Sequence, residues 1–174
     1  VAISTISIDG NLPLRVYVAD SATRRSSRYQ FGLKSVPELS FALTYGTGSG
    51  KANKIYTAQR TVTATTADNL DLAGSLTDLN GSAITFTKIK LILIAIVSPD
   101  GTKTLRVGPR GVSNTYQGAF GGTGATVYKD FTHWDVVEYE PVTGRTVTAG
   151  TGDILGIYNP SASSVTYEII IAGE

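Results

Sequence analysis

Apolar and polar residues alternate in short runs along most of this chain, and Gly, Asn, Asp and Pro separate the runs. A period of two marks a strand with one face turned to a core. The cleanest case is 165–171, where Val165, Tyr167, Ile169 and Ile171 share one face and Thr166 and Glu168 the other. The segment 83–97 changes phase. Ile84 and Phe86 lie on one side, whereas Ile89, Leu91, Leu93, Ala95 and Val97 take the opposite parity, so a bulge or bend is expected near Thr87 and Lys88. From Leu91 onward both faces are apolar, which predicts a central strand covered on both sides. Asn80-Gly81 signals a hairpin, and Pro99-Asp100-Gly101 ends the long strand. Further strands are expected around Leu70 and Leu72 and at 104–107, 126–128, 136–139, 146–148 and 154–158. A glycine-rich loop at 108–124 holds Tyr116 and Phe120. No window of ten residues has a persuasive helical period. The pattern predicts an all-β protein, a β-sandwich of jelly-roll or related Greek-key type.

The first third differs. Strands are expected at 2–8 and 14–18, followed by a polar stretch, 20–29, that gathers Arg24, Arg25 and Arg28. The runs 39–45 and 55–62 flank a loop at 46–54, which predicts an extended two-stranded ribbon. A ribbon that cannot bury both faces docks on something. The expected organisation is therefore an N-terminal arm and ribbon for partner contacts over 1–64, and a sandwich over 65–174, with the boundary at 64–68.

Composition narrows the chemistry. The 174 residues suit one sizeable domain with an arm, and such a chain buries roughly 70% of its unfolded surface. There is no Cys and no Met, and His133 is the only histidine. Disulfides, Cys-ligated zinc and thiol catalysis are thereby excluded. Fifteen basic and 14 acidic side chains leave a net charge of +1. A general nucleic-acid binder carries a clear basic excess, so no nucleic-acid partner is expected. The longest apolar run, 89–97, is interrupted by Lys90 and falls short of the roughly 20 residues that span a bilayer. No membrane association is expected, and VAISTISIDG lacks the basic region that opens a signal peptide.

Each candidate for reactive chemistry has a plainer reading. Gly46-Thr47-Gly48-Ser49-Gly50-Lys51 is short of a phosphate loop by one residue, and Ala52 stands where Ser or Thr would hold magnesium. It reads as a flexible ribbon tip. Asp130, His133 and Asp135 suggest a metal or hydrolytic site, but a lone imidazole has no second ligand to recruit. No Gly-x-Ser-x-Gly elbow is present either. Glu138 and Glu140 share strand parity and read as a polar face turned to solvent. Asp71, Asp78 and Asn80 lack a calcium-loop pattern. The arginine cluster Arg24, Arg25 and Arg28 is the strongest candidate for binding, since guanidinium forks pair carboxylates bidentately.

Two blocks carry a family resemblance. One is Asn69-Leu70-Asp71-Leu72-Ala73-Gly74-Ser75-Leu76-Thr77-Asp78 with the following Ala83-Ile84-Thr85-Phe86-Thr87-Lys88-Ile89-Lys90. The other is Val147-Thr148-Ala149-Gly150-Thr151-Gly152-Asp153-Ile154-Leu155, closed by the strand from Ser164 to Ile171. The stretch from Lys54 to Glu174 resembles small β-rich virion proteins of tailed bacteriophages. The resemblance implies a capsid decoration or cement protein on the capsid exterior, an auxiliary head protein that binds the major capsid protein and sister copies as an oligomer. It brings no catalytic residues and no cofactor, and an enzyme is not expected. Partner contacts are then expected at Arg24, Arg25, Arg28, Tyr116 and Phe120. The alternatives are a tail or head-fibre component, or a non-viral carbohydrate-binding module, in which Tyr116, Phe120 and Trp134 stack on sugars.

Overall fold

The computed structural model describes residues 43–97 and 99–174 in full, and the backbone of three strands ahead of them. Those three are β1 (Ile3–Asp9), β2 (Arg15–Asp20) and β3 (Ser26–Gln30), an antiparallel meander in chain order. Next come β4 (Thr44–Tyr45), β5 (Lys51–Ala52), β6 (Lys54–Val62) and β7 (Ala67–Asp71). A small hairpin, β8 (Leu76–Thr77) and β9 (Ala83–Ile84), precedes β10 (Lys88–Ile96) and β11 (Leu105–Val107). The chain finishes with β12 (Lys129–Phe131), β13 (Trp134–Tyr139), β14 (Arg145–Thr146), β15 (Ile154–Tyr158) and β16 (Val165–Gly173).

Two antiparallel sheets make the sandwich. The first has the order β13-β10-β16-β6, with β14 beside β10, and the second β12-β11-β15-β7. Numbering these eight main strands along the chain, the sheets read 6-3-8-1 and 5-4-7-2, the strand order of a jelly roll. Alternation explains the packing. Ile92, Ile94 and Ile96 of β10 and Tyr167, Ile169 and Ile171 of β16 meet Leu105, Val107, Leu155, Ile157 and Leu70 of the second sheet in one core. The long apolar strand is central, as its sequence predicts: β10 pairs with β13 and β16, and 89–96 is buried throughout. The irregularity expected near Thr87 and Lys88 is seen as a register shift between Ile89 and Leu91: Ile89 joins Ile84 and Phe86 in the core, and Leu91, Leu93 and Ala95 take the other face.

Three expectations are corrected. Residues 55–62 do not form half of a ribbon. They lie in β6, which pairs with β16 along its full length from Lys54↔Gly173 to Val62↔Val165. The physical reason is burial: Ile55, Tyr56 and Val62 find apolar cover only inside the sheet. The short strands that close the 46–50 loop are instead β4 and β5, paired in parallel. The strand expected at 126–128 lies three residues later. Val127 is held in a turn by its N–H to Gly124 O, and Phe131 rather than Val127 enters the core opposite Leu105. Within the polar stretch 20–29, Ser26–Gln30 is a strand paired with β2.

Candidate functional site

Among the described residues, the outer face of the second sheet brings two arginines and two tyrosines together. Leu105 and Val107 point into the core, so Arg106 between them points out. Its cross-strand neighbours are Asp130 on β12 and Tyr158 on β15. Arg106 Nε donates to Asp130 Oδ1 at 3.0 Å, and its guanidinium carbon lies 4.7 Å from the centre of the Tyr128 ring. Arg110 stacks on Tyr158 at 3.6 Å. The chain reaches this arrangement through Gly108, whose φ of 145° and close approach to Tyr128 Cα leave no room for a Cβ. Arg106, Arg110, Tyr128, Tyr158 and Asp130 thus form a half-exposed, pre-ordered platform with one more cation than anion. Arginine and aromatic rings are the residues most enriched in protein interfaces. The local signal for this group in the sequence is the position of Arg106 between two core residues of a short strand.

Three further polar networks lie elsewhere, each with at least one buried or largely buried member. Lys90 is fully buried, and its Nζ donates to Gly48 O at 2.9 Å, Val142 O at 3.1 Å and Pro141 O at 3.3 Å. It also pairs with Glu174 Oε1 at 3.1 Å, and that oxygen accepts the Gly48 N–H at 2.7 Å. Desolvation pushes the Glu174 carboxyl up, but the Gly48 N–H and the Lys90 ammonium outweigh it, and it ends below the usual glutamate range. The 46–50 loop, expected to be a flexible tip, is therefore latched to the sheet, with Gly50 N–H also bound to Pro141 O at 2.7 Å.

In the second network the Arg60 guanidinium donates to Asp68 at 2.5 and 2.8 Å, and Tyr167 Oη donates to Asp68 Oδ2 at 2.8 Å. The hydrogen bond to Asp68 holds Arg60 above its ordinary value. Burial, reinforced by the Asp68 charge, raises the Tyr167 hydroxyl far above the phenol range. An open cleft of about 460 Å³ runs over this pair, between β6 and β7. In the third network Tyr116 Oη donates to Glu138 Oε2 at 2.8 Å, while Arg145 Nε donates to Glu138 Oε1 at 3.2 Å. Burial is the main cause that raises the Tyr116 hydroxyl, with Glu138 adding to it.

The residues singled out in the sequence fare differently. Tyr116 is 0% exposed, so the expected surface aromatic is a core residue, drawn inward by its bond to Glu138. Phe120 follows in a short 3-10 turn (Gly118–Phe120) and packs partly buried against the core. Glu138 is not turned to solvent. The register shift beside Ile92 places Val137 in a bulge and turns Glu138 inward, away from the half-buried Glu140. Asp130 and Asp135 are drawn apart by Arg106 and by Lys129, the latter at 2.7 Å, while exposed His133 contacts only Thr132 Oγ1 through its ring. Among the described residues no group of three or more His, Asp or Glu could hold a metal ion. Asp78 accepts the N–H groups of Asn80 and Ser82 and Asp71 that of Ala73, which is turn chemistry. Arg24 and Arg25 lie outside the described residues. The backbone of Arg28 is in β3, opposite Tyr17.

No protein-family model matches the chain, and neither does a curated protein or a solved structure.

Proposed function

We propose that this chain is a virion structural protein of a tailed phage, a capsid decoration or cement protein that binds the major capsid protein and sister copies on the capsid exterior. The sequence resemblance over 54–174 suggests the class. The geometric observation that supports it best is the Arg106–Tyr158–Arg110 platform. It is a pre-ordered binding surface on a sandwich in which Lys90 is tied to Glu174 and Tyr116 to Glu138, while the Arg60–Asp68 pair borders the open cleft. A cationic, aromatic platform fits an acidic patch on a shell protein. Arg24, Arg25 and Arg28 extend the same chemistry into the N-terminal segment. On this reading the protein works by adhesion and has no catalytic step. The sugar-binding alternative asks for bare aromatic faces, but Tyr128 and Tyr158 each hold a guanidinium and Tyr116 is buried.

The test is a binding assay with capsids that lack the protein. The intact chain should bind saturably. Arg106→Glu with Arg110→Glu should lower affinity at least tenfold while the fold stays intact by circular dichroism. Equal binding by this variant and the parent would remove the platform from the function.

A further inference from the structure

We propose that the β1–β2–β3 sheet lies with its apolar face on the outer face of the first sheet, making a third layer of the same chain. This inference stands whether or not the protein belongs to a virion.

The first sheet has two apolar faces. One faces the core already described. The other is made by the alternate residues: Leu91, Leu93 and Ala95 of β10, Ile170 and Ala172 of β16, and Ile55 of β6. Register aligns them as neighbours, with Leu93 opposite Ile170, and Leu91 and Ile55 on either side of Ala172. The outer face of a two-layer sandwich ordinarily meets water. Here every one of these six is at most 5% exposed. The same face turns polar at its other end, where Thr61 meets Thr166 and Gln59 meets Glu168. A covering layer therefore belongs over the apolar end only.

The meander has the complementary pattern. Register sets Ile6 opposite Val18, Ile8 opposite Val16, and Val16 opposite Tyr29. These positions share one face. The other face holds Ser7 opposite Tyr17 and Tyr17 opposite Arg28. A three-stranded sheet with one apolar face is marginal alone and needs a second surface. The chain supplies the reach, since 31–42 fully extended spans roughly 40 Å. The face is buried within a single chain; Leu43 and Ala52, buried outside the main core beside β4 and β5, are the other apolar groups available to it, and β1 runs close to β4, which points to this chain's own meander as the layer over the rest. In that arrangement the polar face with Arg28 stays outward.

The only tryptophan reports on the arrangement. Trp134 is half-buried and pairs with Ala95, on the outer face beside the Leu93 row. The experiment uses the full-length protein at a concentration where light scattering gives a monomer. Ile6→Asp with Val18→Asp should shift Trp134 emission to the red and raise its quenching by acrylamide severalfold, with the strand signal of the sandwich retained. Ser7→Asp, on the opposite face, should leave both unchanged. Should the double Asp variant unfold, Val18→Ala and Leu93→Ala, alone and combined, carry the same test: their losses in Tm should fall short of additive. Unchanged Trp134 emission in the double Asp variant, or strictly additive Tm losses, would overturn the proposal. A red shift seen only on dilution of an oligomer would also overturn it, because the face would then belong to a sister copy's meander.

Discussion

Lys90 has exchanged water for three backbone carbonyls and one carboxylate, all within 3.3 Å. A buried charge is tolerated only when its partners are complete. Removing it strips the largely buried Glu174 carboxylate of its cation and each of the three carbonyls of one donor, so Lys90→Met should cost about 3–5 kcal/mol in chemical denaturation. A loss below roughly 1 kcal/mol, the scale of an exposed ion pair, would show that the latch is solvated. Glu174 gives the latch a pH dependence. Its folded-state carboxyl lies below the ordinary range, so the unfolded chain binds more protons, and the stability it contributes is present above about pH 5 and is lost as pH falls through the folded value. Glu168, raised by burial, acts with the opposite sign, and the comparison that isolates the latch is wild type against Glu174→Gln. The variant should lose its advantage-dependent slope below pH 5 while remaining less stable at pH 7; parallel stability curves would refute the linkage. Tyr116→Phe should cost about 1–3 kcal/mol, because it deprives the buried Glu138 of its hydroxyl donor. A Tyr116→Phe variant as stable as the parent would mean that water replaces that donor.

At the scale of elements, β10 is the strand on which both faces of the first sheet depend. Leu93→Asp sets a charge among Ile170, Val136 and the rest of the outer apolar face and should cost several kcal/mol, read as a lowered Tm. An unchanged Tm would mean that this face is wet. Elements with local signals were legible in the sequence: β16 from strict alternation, and the β8–β9 hairpin from Asn80-Gly81. Pairing over long separations was not. Residues 55–62 read as a strand, but their partner β16 begins 103 positions beyond Val62, at Val165, and nothing local points there. Side chains displaced by bulges were hidden for another reason. The extra residue at Val137 reverses the parity on which the solvent-facing reading of Glu138 rested. Tyr116 was illegible because a loop has no period, so nothing local shows that its ring enters the core and its hydroxyl reaches Glu138 on another strand. Lys90 was visible only as a polar interruption of an apolar run.

At the scale of the whole molecule, the described residues form an antiparallel β-sandwich with a cationic, aromatic platform on one sheet and an apolar outer face on the other. Adhesion through the Arg106–Tyr158–Arg110 platform is the activity proposed for it. The most direct measurement is the number of copies of the intact protein retained by capsids that lack it, counted after sedimentation across increasing protein and salt. A capsid-binding platform gives saturation at many copies per particle, weakened by salt and by Arg106→Glu with Arg110→Glu. Absence of retention at any concentration, or retention indifferent to both salt and those substitutions, would contradict it.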